Sequence, residues 1–276
     1  MSRLSKEQKF LYIRIAILLA GVGCIGFAFA GFKGFSFWYG GFVLCLWTVL
    51  GLLNLRERSS VWFMFRRPAL FWLFYGVLVA YAFLADELGL RLFLWVYPYY
   101  HGLGFMWVYF VLYPFGGLAL LELLYFLSGH LGEPLTFKAL PCSRWHEIVD
   151  VLESVLFIVM TGVIVLGAMG LETKVLVIAA TSLFWMIFAL LKLKLHIRHP
   201  GHYILLLLIT TSFTTLLYQL PNALAREWVY LPAFVLDPLW SQTLFSIPFW
   251  VWVGYFWFTV VPLRLWIFLV LNPRVK

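Results

Sequence analysis

Charge is what this sequence has least of. Acidic and basic side chains make up only 12% of its 276 residues, where a soluble domain carries about a quarter. That excludes a water-facing globular domain of ordinary composition. Cysteine is also scarce: Cys24, Cys45 and Cys142 stand apart without CxxC spacing, so the pattern gives neither a disulfide framework nor a thiolate metal site. Long polar stretches are missing as well, which leaves no room for a hidden soluble catalytic domain. What fills the chain instead is apolar: 64% hydrophobic and 20% aromatic residues.

A span needs about 20 mostly apolar residues to cross the hydrocarbon core. Apolar runs separated by charges occur at 10–32, 35–55, 68–85, 102–129, 147–171, 174–195, 203–224 and 247–271. The sequence therefore predicts an all-α, polytopic membrane bundle of about eight helices forming a single membrane domain over 1–276. The first run, Phe10 to Phe32, follows a basic start but is long enough to span, and is read as a helix rather than a cleaved leader. The fourth run is overlong and contains Pro114, which predicts either a kinked helix or one preceded by an interfacial segment around Trp95 to Tyr100.

Lys and Arg accumulate in cytoplasmic loops. With eight spans, one side receives Arg3, Lys6, Lys9, Arg14, Arg56, Arg58, Arg66, Arg67, Lys138, Arg144, Lys192, Lys194, Arg198, Arg264, Arg274 and Lys276, and the other only Lys33, Arg91, Lys174 and Arg226. This asymmetry predicts a cell-membrane protein with both termini cytoplasmic. It also explains the net charge of +8 without a nucleic-acid partner. The expected partners are membrane lipids and a homo-oligomer or complex partner, and the small residues Gly21, Gly23, Gly26 and Ala30 of the first span suggest close helix packing or an oligomer contact.

The opposite side is aromatic: Trp95, Tyr97, Tyr99 and Tyr100, then Trp228, Tyr230, Phe234 and Trp240. An interfacial belt is the simplest reading. The echo of Trp95-Val96-Tyr97-Pro98 in Trp228-Val229-Tyr230, each ahead of a proline-containing aromatic helix, suggests a 4+4 parallel repeat such as some transporters have. Arg226 and Glu227, at the end of the seventh run, read as a surface ion pair.

Ionisable groups inside a membrane are costly, so each is a functional candidate. Glu122 lies about 12 Å deep at 1.5 Å per residue, and Glu153 reaches a similar depth on the next run. Together with Asp150 they form the candidate acid/base set. His146 and Asp150 share a helix face with Glu153. His196, His199 and His202 lie at the turn between runs six and seven, around Pro200-Gly201. Imidazole is the commonest metal ligand, so His146, His199 and His202 are the candidate ligands of a divalent metal, the one cofactor the pattern suggests.

His146-Glu147-x-x-Asp150 resembles the zinc-protease HExxH motif with its second histidine replaced. Arg198-His199-Pro200 is similar to the RHPxY stretch of isoprenylcysteine methyltransferases, with Tyr203 one place late. Both are partial, and no family follows from them. The residues favour a membrane-embedded enzyme acting on a lipid or isoprenoid near the cytoplasmic face. A small-solute transporter or channel, and a non-catalytic subunit of a membrane complex, are the alternatives. The transporter reading draws on the seventh run, with its Thr210, Thr211, Ser212, Thr214, Thr215, Tyr218 and Gln219.

Overall fold

A computed structural model describes residues 6–54, 59–91, 95–130, 200–231, 243–245 and 247–266. The described chain is mostly helical. In order come α1 (Lys6–Phe29), α2 (Phe37–Leu53), α3 (Ser60–Arg66), α4 (Pro68–Arg91), β1 (Trp95–Val96), α5 (Leu103–Trp107), a π-helical turn (Val108–Leu112), α6 (Tyr113–His130), α7 (Pro200–Ala225), β2 (Val229–Tyr230), β3 (Thr243–Leu244), β4 (Ile247–Pro248) and α8 (Phe249–Trp266).

Apart from the short α3, which lies between two of them, these helices fall on the apolar runs at 10–32, 35–55, 68–85, 102–129, 203–224 and 247–271, while 147–171 and 174–195 lie outside the described residues. Two helical stretches are long and apolar enough to cross a membrane, Gln8–Phe29 and Leu103–His130; Phe37–Leu53, Pro68–Phe83 and Leu205–Leu220 are shorter apolar helices.

The chain divides into two compact units. The first comprises Met1–Phe83, Tyr97–Pro134 and Leu216–Val229. Its centre is α6, in which Leu118 to Tyr125 are all buried; a helix apolar on every side belongs inside a bundle. Against α6 packs α2, with Trp47 edge-on to Phe115 at 4.9 Å. Against α2 packs α1, at a point where side chains are absent. A Cβ on Gly41 would lie 2.6 Å from the Gly21 carbonyl oxygen, and one on Gly21 would lie 2.8 Å from Cys45 Sγ. Gly23 and Gly26, by contrast, have nothing within 4 Å. The small-residue stripe of the first span is thus divided: Gly21 makes the α1–α2 approach and the other two face outward. Much of α1 does the same, with Leu11, Tyr12, Ile13, Ile15, Leu19, Val22 and Phe27 exposed.

Pro114 acts locally as its chemistry requires. It has no N–H to offer the Phe110 carbonyl one turn earlier, and its ring crowds that turn. The helix widens into the π turn just before it, with Tyr113 N–H bonding the Val108 carbonyl. The Tyr75 hydroxyl donates to the carbonyl of Phe110 in place of the missing N–H. The kink expected from the sequence is therefore a π-bulge with an external donor, a known cause of helix distortion.

The second unit comprises Leu84–Val96, Leu135–Thr215 and Tyr230–Lys276. In its described part, Thr211 Oγ1 donates to Thr259 Oγ1 of α8 at 3.3 Å, and β3 pairs antiparallel with β4, Thr243 opposite Pro248. Trp95 Nε1 donates to Asp86 Oδ1 at 2.9 Å.

Candidate functional site

Two polar centres are built in the first unit, at opposite ends of α2, which is about 25 Å long at 1.5 Å per residue. Each is organised by one buried glutamate.

At the C-terminal end of α2 the glutamate is Glu122 of α6, wholly buried. The short helix α3 begins here, and its first N–H groups have no partner within their own helix. Ser59 caps it, its hydroxyl accepting from Trp62 N–H at 3.3 Å. A capping box would need Glu or Gln where Trp62 stands. The missing carboxyl comes from another helix: Glu122 Oε1 accepts from Val61 N–H at 3.0 Å and from the Ser60 hydroxyl. Glu122 Oε2 accepts from Asn54 Nδ2 at 3.1 Å, and the same amide donates to the Glu122 carbonyl oxygen at 2.5 Å. Ser60 in turn accepts from Trp47 Nε1 at 2.9 Å. Asn54 is the C-cap of α2, so one carboxyl joins the end of α2 to the start of α3. A cation stands nearby: Arg14 of α1 lies within electrostatic range of Glu122, its guanidinium 5.3 Å from the centre of the Phe65 ring.

At the N-terminal end of α2 the glutamate is Glu227, and the reading of Arg226 and Glu227 as a surface ion pair is corrected here. Arg226 is exposed, but Glu227 is buried. Its Oε2 accepts from the Ser36 hydroxyl and its Oε1 from Trp38 N–H at 3.2 Å. Ser36 is the N-cap of α2 yet makes no side-chain cap bond of its own, and the first turn holds no acid. Glu227 thus caps α2 from far along the chain. The loop is set to deliver it: Arg226 adopts φ 51, a left-handed conformation uncommon outside glycine. The Asn222 side chain clasps the backbone of Trp228, accepting from its N–H at 3.1 Å and donating to its carbonyl at 3.0 Å.

Around this centre the aromatic residues face inward. Tyr39 packs edge-on to Tyr218 and Trp228 at 5.1 and 5.0 Å, and Trp107 Nε1 donates to the Ser36 carbonyl at 3.1 Å. Tyr100, 1% exposed, puts its hydroxyl beside Ser36 and Glu227 without the geometry of a hydrogen bond to either. Burial pushes the Glu227 carboxyl above the usual carboxylate range, more than its neighbouring donors pull it back. Burial and the adjacent carboxylate likewise push the Tyr100 hydroxyl up. Tyr100 and Trp228, read in the sequence as belt residues, are packing residues; Phe234 and Trp240 lie outside the described residues.

Of the residues singled out from the sequence, His146, Asp150, Glu153 and His199 lie outside the described residues. His202 is exposed in the first turn of α7. His130 sits at the end of α6, its Nδ1 2.8 Å from the Phe126 carbonyl oxygen. Among the described residues no three His, Cys, Asp or Glu side chains form a group able to hold a metal. Sequence reasoning singled out Glu122 but not the cap it supplies to α3, and missed Glu227 as a buried group. The available signal was a helix start with a serine cap and no acid three residues on, at Ser36 and again at Ser59.

No family model matches the chain, and no curated protein or solved structure matches it either.

Proposed function

We propose that the chain is a multi-pass membrane protein with both ends in the cytoplasm, working as a membrane-embedded enzyme on a lipid or isoprenoid. The observation that carries this reading is the Glu122 centre. A buried carboxyl, a hydroxyl, an indole N–H, an amide and a cation gather at one end of α2, beside α1, whose exposed face is largely apolar. The sixteen-to-four division of Lys and Arg supports a cytoplasmic side for that end. Apolar substrate would approach through the bilayer and meet polar groups there. Glu122 serves as a positioning residue, because its oxygens are engaged by Asn54, Ser60 and Val61. Proton transfer then falls to Asp150 and Glu153, and metal or head-group binding to His146, His199 and His202.

Single alanine changes at His146, Asp150 and His199, with metal content, folded yield and lipid turnover measured on each, test the assignment. The expected result is loss of turnover with retained folding. Wild-type metal content and turnover in all three variants would end it.

A second reading, a polar-solute transporter, is favoured by one observation. Thr210 and Thr214, one turn apart on α7, are buried with hydroxyls that have no hydrogen-bond partner among the described residues. Unpartnered hydroxyls stacked along a helix fit a polar path better than packing alone. Solute uptake into proteoliposomes, lost on Thr210→Val and Thr214→Val, would decide for it.

A further inference from the structure

Arg14 presents an imbalance that the described residues of the first unit do not resolve. It is the only Lys or Arg between Lys9 and Lys33, and it is half-buried on α1 among the exposed apolar residues Leu11, Tyr12, Ile13 and Ile15. Phe10 and Arg14, four residues apart, share a helix face, and both meet the same ring of α3. The Phe10 and Phe65 centroids are 3.9 Å apart, and the Arg14 guanidinium lies 5.3 Å from the Phe65 centroid. The guanidinium therefore lies over the Phe65 ring. Its Nε is nevertheless buried without a hydrogen-bond partner. The nearby carboxyl of Glu122 already accepts from Asn54, Ser60 and Val61. A desolvated donor on a permanently charged group needs an acceptor, and the described residues do not supply one.

More positive charge lies next to the same seam along the chain. Lys9 precedes Phe10 and is exposed, while Arg66 and Arg67 follow Phe65 at the end of α3. Arg14 is about 6 Å along α1 from Phe10, where its run begins, at 1.5 Å per residue. This is a depth from which an arginine reaches the head-group level. A planar guanidinium fixed on an aromatic ring, with further cations at its rim, matches a phosphate bearing more than one negative charge.

We propose that Arg14, seated on Phe10 and Phe65 and rimmed by Lys9, Arg66 and Arg67, binds a phosphate monoester or diphosphate, carried by a lipid or prenyl chain or free in solution. The inference names the head group of the substrate class proposed above and rests on the membrane reading. It does not depend on the enzyme reading or on the histidines. The apolar surface of α1 beside the site suits an attached chain.

The test is thermal unfolding of the full chain in nanodiscs of phosphatidylcholine alone, of phosphatidylcholine doped with phosphatidate, and of phosphatidylcholine with added inorganic phosphate. Phosphatidate raises the melting midpoint of the wild type in a saturable way. A rise with phosphatidate alone assigns the phosphate to a lipid, and a rise with both to a free phosphate. Arg14→Gln increases the phosphatidate needed for half the effect about tenfold or more, the usual consequence of losing hydrogen bonds to a charged group. Lys33→Gln, at the other end of α1, leaves it unchanged. An equal response in wild type and Arg14→Gln overturns the proposal. If Arg14→Gln does not fold, a wild-type midpoint indifferent to phosphatidate and phosphate overturns it alone.

Discussion

Replacing Glu122 separates a helix cap from a proton carrier. In Glu122→Ala three donors lose their acceptor: Val61 N–H, the Ser60 hydroxyl and one hydrogen of Asn54 Nδ2. Each stranded buried donor costs about 1–3 kcal/mol. The three are unequal. The Ser60 hydroxyl hydrogen can rotate away, and Asn54 still reaches the residue-122 carbonyl, whereas Val61 N–H has nowhere to turn. The lower part of the summed range applies, about 3–5 kcal/mol, a large share of the 5–15 kcal/mol that holds a typical domain together. Glu122→Gln is milder. Its Oε1 still serves Val61 and Ser60, but an NH2 now faces the Asn54 amide, donor against donor. Asn54 cannot rotate its oxygen inward without giving up the residue-122 carbonyl, so one bond is lost, about 1–2 kcal/mol. Denaturant unfolding of the full chain in bicelles measures both variants, with turnover per folded molecule beside it. An alanine variant within about 1 kcal/mol of wild type would refute the capping argument. A glutamine variant of wild-type stability with turnover abolished would return Glu122 to proton transfer.

Glu227 carries a pH signature. A carboxyl raised by burial binds its proton more tightly in the folded state, so its contribution is full below the unfolded value and lost as pH rises through the raised one. The wild type should melt lower as pH climbs through that window, and Glu227→Gln, which keeps an acceptor for Trp38 N–H, should flatten the slope. Identical slopes would contradict the assignment. Gly41→Ala forces a methyl against the Gly21 carbonyl and Ile25 and should cost about 1–3 kcal/mol. Gly23→Ala meets nothing within 4 Å and should be neutral or stabilising by about 0.5–1 kcal/mol. Equal melting points for the two would show that the close α1–α2 approach is not real.

The helices of the described residues were legible because so apolar a chain writes them in two plain signals, apolar length and the charges between runs. Pro114 was legible as a disturbance, since a proline within an apolar run always removes a donor. Its remedy was not, because nothing local in Tyr75 announces that its hydroxyl will meet the Phe110 carbonyl. The same holds for the candidate site. Glu122 stood out by depth, but its partners Asn54, Ser60 and Val61 lie more than sixty residues away. Glu227 did not stand out, because an acid beside an arginine at a helix end resembles a surface pair in sequence. Only the left-handed turn at Arg226 and the Asn222 clasp point it inward.

Both glutamates answer one physical demand. A helix that starts away from water cannot satisfy its first N–H groups with solvent, and a bilayer core leaves each such group several kcal/mol out of balance. A soluble helix meets that demand within its own first turn, with an acid three residues past the cap. Here α2 and α3 begin Ser36-Phe37-Trp38-Tyr39 and Ser59-Ser60-Val61-Trp62, with aromatic residues where the acid would stand, and each draws its carboxyl from a distant segment. An aromatic at that position packs against the bundle, and the imported acid ties two segments together as it caps. A deep acid in such a sequence is therefore first a candidate cap and only then a candidate base. The serine-led helix starts without a local acid show which segments it can serve.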